Sequence, residues 1–260
     1  MALIQDDLRF HLGIRTGDVG RYVILPGDPG RVPKIAALLD NAKQIAYNRE
    51  YNTYTGMLLG EKVSVVSTGI GGASTAIAVE ELIMSGSDTF IRIGTSGGMD
   101  MKVLGGDLVV ASGAIRSEGT SREYIPIEYP AVPDFDVMTA LKQAGDALSS
   151  DVDGNRCHVG VVHCKDSFYG EIDPTNVPVS EKLSAAWDAY VRCGCLTSEM
   201  ESAALFAVAT ARGVRAGSVF TALWNVERTK AGLPDKVCES SERAIKCAVE
   251  AVKILINKDK

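Results

Sequence analysis

Residues 88–98 form a run of β-branched and aromatic side chains that ends in small ones, with Arg92 in its middle. In a buried strand an unpaired guanidinium would be strongly destabilising, so an anion is the expected partner. It should bind beyond the carboxyl end of the strand, where Gly94, Thr95, Ser96, Gly97 and Gly98 fall. A second arginine, Arg31, follows Gly27-Asp28-Pro29-Gly30, a turn that gathers backbone N–H groups at a helix start. If the strands before the two arginines lie side by side, two guanidinium forks meet one oxyanion. The third group is Ser198-Glu199-Met200-Glu201-Ser202. Glu199 suits the start of a helix. Glu201, set between Met200 and the apolar 203–209 face, calls for partners such as sugar hydroxyls.

Two further patterns fit their chemistry less well. Gly69-x-Gly71-x-x-Ser74 sits between a strand and a helix, as a dinucleotide fingerprint does, but Ser74 replaces the third glycine. The acid about 20 residues on, Asp88, opens the next strand instead of closing it. Gly94-x-Ser96-x-Gly98 has the spacing of a hydrolase nucleophile elbow, yet residues 99–107 offer a polar loop and no helix. His158 and His163 share one predicted strand and are given no role.

The elements that must position these groups alternate between strand and helix. Strands are predicted over 22–25, 88–98, 104–114, 157–164 and 214–223, with a hairpin of 47–59 and 62–67 around Gly60-Glu61. Helices are predicted over 31–39, 73–84, from an Asp134 cap to about 148, and over 180–193, 199–212 and 240–257. Residues 116–133, 167–179 and 224–236 read as loops, the first as a lid or an oligomer contact. This order gives the α/β class, with α/β/α layers around a mixed, largely parallel twisted sheet. At 260 residues and 46% hydrophobic, the chain is read as one domain, 1–260. A net charge of -6 without basic runs argues against a nucleic-acid surface. Residues 1–13 carry acids and no signal-like apolar run, and no stretch reads as a bilayer span, so a cytoplasmic protein is expected. Six cysteines without a Cys-x-x-Cys pair read as reduced thiols.

Five motifs in order carry a resemblance. They are Gly27-Asp28-Pro29-Gly30-Arg31, Ser67-Thr68-Gly69-Ile70-Gly71-Gly72, Arg92-Ile93-Gly94-Thr95-Ser96-Gly97, Ile127-Glu128-Tyr129-Pro130-Ala131-Val132 and Glu199-Met200-Glu201-Ser202. Together they resemble the nucleoside phosphorylase family, most closely its uridine phosphorylases, over nearly the whole chain. The resemblance implies reversible cleavage of uridine by phosphate to uracil and ribose 1-phosphate. It places phosphate on Gly27, Arg31, Arg92 and Thr95, with Arg49 from a neighbouring subunit. Ribose is implied at Met200, Glu201 and the partner's His11, and the base at Thr95, Gly97 and Phe168. A dimer with shared sites is the implied working unit. No cofactor is implied beyond phosphate as co-substrate, and Glu50, Ile70 and Ser74 match an interface cation site.

The resemblance also breaks in places. The purine enzymes' aspartate after the last core strand is absent from Asn225-Val226-Glu227-Arg228-Thr229, which favours a pyrimidine. The Gln-x-Arg pair that bonds uracil in uridine phosphorylases is absent from Phe168-Tyr169-Gly170-Glu171-Ile172-Asp173. Arg228 is the expected substitute donor for the leaving base, with Arg92 and Glu201 as the other catalytic groups. Glu171 and Asp173 are expected to turn outward, since a carboxylate facing uracil would repel it. A purine or mixed-specificity phosphorylase, a serine hydrolase using Ser96 and a non-catalytic nucleoside-binding protein remain as alternatives.

Overall fold

Short apolar runs punctuated by glycine build a nine-stranded mixed sheet, covered by helices on both faces, in the computed structural model, which describes residues 4–5, 7–149 and 155–260. Part of the N-terminal stretch, residues 1–3 and 6, therefore lies outside the described residues. A small hairpin, β1 (Ile4–Gln5) and β2 (Leu8–Arg9), precedes the sheet. The sheet strands are β3 (Tyr22–Pro26), β4 (Asp40–Asn48), β5 (Tyr51–Leu58), β6 (Glu61–Val66), β7 (Thr89–Gly98), β8 (Leu108–Ser117), β9 (Cys157–Lys165), β10 (Thr197–Glu199) and β11 (Arg215–Asn225). Their order is β10-β9-β8-β11-β7-β3-β6-β5-β4, and β10 also pairs with β7. That extra pairing bends half of the sheet into a small closed barrel, with the carboxyl end of β7 in its seam.

The helices are α1 (Val32–Ala36), α2 (Gly72–Met84), α3 (Thr120–Tyr124), α4 (Phe135–Ala147), α5 (Phe168–Ile172), α6 (Ser180–Arg192), α7 (Ser202–Arg212), α8 (Val226–Lys230) and α9 (Glu242–Asp259). Strand alternation divides the core. Val23 and Leu25 of β3 pack with Val79 and Leu82 of α2 and Phe206 of α7, whereas Tyr22 and Ile24 pack with Leu141 of α4 and Val252 of α9. No helix among the described residues is long and apolar enough to cross a membrane. All six cysteines are free.

Several elements depart from expectation. The helix expected over 31–39 is a 3-10 turn, Pro29–Arg31, followed by the one-turn α1. The strand expected over 47–59 is cut by a turn in which Arg49 adopts φ 53°, and Asp40–Asn48 forms a strand of its own. That strand is largely exposed, so no apolar alternation marks it. Residues 116–133 are not a bare loop: α3 lies within them, and the buried Arg116 guanidinium donates to the carbonyls of Ser121, Ile125, Pro126 and Tyr129. Residues 167–179 contain α5 and a second 3-10 turn, Pro174–Asn176. The helix expected from Glu199 starts at Ser202, because Thr197–Glu199 is drawn into the sheet as β10.

Candidate active site

β3 and β7 are parallel neighbours with Leu25 opposite Arg92, so the two arginine-bearing segments do lie side by side. Beyond β3, the Asp28 side chain accepts from Gly30 N at 2.8 Å and fixes the turn that carries Arg31. This turn is zipped to the next loop, with Thr68 N donating to Pro26 O at 2.9 Å and Gly69 N to Gly27 O at 3.0 Å. A side chain at position 27 would be crowded, since a Cβ would stand 3.0 Å from Gly69 O and 3.9 Å from Arg92 Nη1. Arg92 is 5% exposed. Its Nη2 donates to Glu201, its Nε lies 3.7 Å from Glu199, and neither Nε nor Nη1 has a hydrogen-bond partner. Burial lowers the Arg31 pKa, opposed by Asp28 and reinforced by the positive charge of Arg92. Two crowded cations, one of them with unmatched buried donors, are an arrangement that can hold an oxyanion.

The two acids of the Glu199-Met200-Glu201 group divide their work. Glu199 accepts from Glu201 N at 2.9 Å and Ser202 N at 3.0 Å, which satisfies backbone donors at the start of α7. Glu201, 3% exposed, accepts from Gly71 N at 2.7 Å and pairs with Arg92. Burial drives its pKa up, Arg92 opposes that, and Glu199 adds to it. The glycines of the Gly69-x-Gly71 turn, both at positive φ, thus present a backbone donor to Glu201, and Asp88 pairs with Arg21 instead of facing the site.

The opposite wall is built by β9, β10 and α5. Ser198 sits opposite Gly97 across β10 and β7, and Phe168 opens α5. Here the structure corrects an expectation: Glu171 does not turn outward. The Ser167 hydroxyl caps α5, and this single helical turn swings Glu171 inward onto Ser198 Oγ at 2.5 Å, Lys165 Nζ at 3.0 Å and His163 Nδ1 at 3.3 Å. Burial raises the Glu171 pKa, but His163, Lys165 and Ser198 together bring it below the usual glutamate value. Asp173 is exposed, as expected, and accepts from Thr175. Arg228 is the second correction. Its guanidinium donates to Pro234 O at 2.8 Å and Met101 O at 3.0 Å, and it does not line the cavity. The buried cation at this end is Lys165, which donates to Ser198 Oγ at 2.6 Å.

A single cavity of about 700 Å3 joins these groups. Gly27, Arg31, Arg92, Thr95, Gly97, Phe168, Met200 and Glu201 all line it, as do Glu171, which was expected to face outward, and Lys165, which sequence reasoning passed over. Cavities of roughly 300–1,000 Å3 suit small-molecule ligands. His11 and Arg49 lie away from this chain's own cavity. The His11 imidazole is held by Glu81 at 2.7 Å, and Arg49 is exposed. Ser74 donates to Glu50 at 2.8 Å, and Ile70 is 76% exposed beside them. Ser96 lines the cavity, but its buried hydroxyl has no hydrogen-bond partner, and β7 runs through to Gly98 without an elbow. His158 is engaged by Asp107 at 2.9 Å and His163 by Glu171, so no described histidine activates Ser96.

A profile of the phosphorylase superfamily matches residues 21–257. The chain belongs to the phosphorylase superfamily. It is 52% identical to a uridine phosphorylase of Treponema pallidum, covering 97% of this chain and 96% of that one. It is 40% identical to a guanosine phosphorylase of Halorubrum lacusprofundi, over 94% and 98% of the two chains. Identity to a uridine phosphorylase of Escherichia coli is 38%, over 95% and 98%. The superfamily membership and the mixed α/β sheet agree with the sequence reading.

Proposed function

We propose that this protein is a uridine phosphorylase, catalysing the reversible reaction of uridine and phosphate to uracil and ribose 1-phosphate. The observation that carries this reading is Arg92, whose buried guanidinium joins an oxyanion site to the Glu201 carboxylate inside one cavity. Relatives bearing the name uridine phosphorylase align over almost the full chain, which supports the same substrate. Phosphate is held by the 27–31 turn, Arg31, Arg92 and Thr95, and Glu201 with Met200 holds the ribose hydroxyls. A phosphate oxygen bonds to the anomeric carbon as the bond from that carbon to the ring nitrogen breaks, and the electron pair leaves on uracil. Lys165, not Arg228, is the cation placed to take up the charge that develops on a uracil carbonyl. Gly97 and Phe168 flank the base.

The reading extends to a homodimer in which the partner supplies His11 and Arg49, and to pyrimidine salvage in a reducing cytoplasm, which suits six free thiols. No cofactor takes part beyond phosphate. The paired oxygens of Glu50 and Ser74 are hard donors that fit a cation at the subunit interface. The Glu50 carboxyl is held below the usual value first by its own backbone N–H and then by Ser74, against a smaller opposing effect of burial. A purine-accepting variant of the same reaction is the second reading, favoured by the guanosine phosphorylase relative. Base release from uridine, thymidine and inosine, with and without phosphate, separates these readings. Faster turnover of inosine than of uridine would overturn the pyrimidine preference.

A further inference from the structure

Glu171 is the feature of the cavity that the phosphorolysis scheme leaves unused. A carboxylate in the wall of a site that expels a negatively charged base is unfavourable unless it does something specific. Its three protein donors, Ser198 Oγ, Lys165 Nζ and His163 Nδ1, all converge on Oε2. Oε1 receives none of them. The anchoring donors stand on two adjacent sheet strands, β9 and β10, so the carboxylate is fixed at Oε2 and keeps Oε1 as an acceptor to spare. An ionised carboxylate only accepts hydrogen bonds, whereas the adjacent Lys165 ammonium only donates. The wall therefore offers an acceptor beside a donor.

We propose that Glu171 is the specificity-determining group of the base pocket, accepting the ring N–H of bases that carry an imide N–H beside a carbonyl. The proposal rests on the nucleoside phosphorylase reading above and adds to it the rule by which a base is chosen. Uracil and thymine present N3–H next to a carbonyl, the complement of Glu171 and Lys165. Hypoxanthine and guanine present N1–H in the same relation. Cytosine and adenine carry a lone pair at the equivalent nitrogen, which would face the carboxylate with no proton between them. Sites built around such a hydrogen bond reject analogues lacking it by about 10⁴-fold, because their own buried group is left unmatched.

The test compares kcat/KM for phosphorolysis of uridine, 3-methyluridine and cytidine by the wild-type protein and by Glu171→Gln. The wild type should turn over uridine and reject both 3-methyluridine and cytidine by about 10³-fold or more. Glutamine can present either its oxygen or its amide N–H, so Glu171→Gln should narrow the uridine to cytidine ratio at least tenfold. A residue with only a structural role would lower all three substrates together. Wild-type cleavage of 3-methyluridine at a rate near that of uridine overturns the proposal without any variant, as does an unchanged ratio in a folded Glu171→Gln protein. Absence of phosphate-dependent cleavage of any nucleoside would instead overturn the phosphorylase reading, and this proposal with it.

Discussion

In the proposed reaction Arg92 is the side chain on which the chemistry turns, since it pairs with Glu201 and keeps two buried N–H groups unmatched. Replacing one preorganised charged donor typically costs about 10²–10³-fold in kcat. Arg92→Ala should therefore lower phosphorolysis by that factor, while Ser96→Ala should leave steady-state activity nearly intact. The opposite order would restore the hydrolase reading. Glu201 makes a separate prediction, because burial holds its pKa above the usual range. Its carboxylate form is the one that accepts ribose hydroxyls, so acidification should remove that form before it would protonate an ordinary glutamate. In phosphate-free calorimetry, uridine affinity should weaken as pH falls from about 8 to about 5, and Glu201→Gln should abolish the dependence. Glu171 stays ionised across that window, its pKa being lowered. Uridine affinity that does not change with pH would count against Glu201 as the ribose ligand. Arg92 and Glu201 could be read from sequence because a charge inside an apolar run is anomalous wherever the run folds. Lys165 and Glu171 could not. Lys165 closes a strand as a solvated lysine would, and Glu171 is turned inward by Ser198, 27 residues away.

At the scale of elements, the three-residue β10 does most to assemble the site. By pairing with both β9 and β7 it brings Ser198 against Lys165 and Glu171, and it sets Glu199 where its carboxylate accepts from the first N–H of α7. Neither consequence was legible, since a strand of three residues has too little pattern to compete with the helical spacing that follows it. Long, strongly patterned elements such as β7, α2 and α9 fell within a few residues of their expected bounds. Asp134 shows the same local logic working well: its side chain accepts from Asp136 N and Val137 N at 3.0 Å, as expected for the cap of α4. Removing it with Asp134→Ala should destabilise the fold by about 1 kcal/mol, or roughly 2–4 °C in Tm for a chain of this size. Asp134→Asn should keep the cap and the Tm. Activity below Tm should be unaffected by either variant. An unchanged Tm in the alanine variant would show that the cap adds nothing to the fold.

The whole molecule raises the question of what completes the proposed phosphate and ribose sites. Arg49 and His11 lie away from the cavity of their own chain, on a surface that also exposes Phe10, Tyr47 and Ile70. If a partner's Arg49 completes each site, two inactive variants should complement one another. A heterodimer of Arg92→Ala and Arg49→Ala keeps one intact site, so random pairing on co-expression should restore about a quarter of wild-type activity. No recovery would place Arg49 outside the partner's site. The central claim is that phosphate, and not water, cleaves the nucleoside. Phosphorus NMR of the protein with uridine and inorganic phosphate tests it most directly. One ribose 1-phosphate should appear, and one phosphate disappear, for each uracil released, with no uracil formed when phosphate is omitted. Uracil released at an undiminished rate without phosphate, with free ribose as the product, would contradict it.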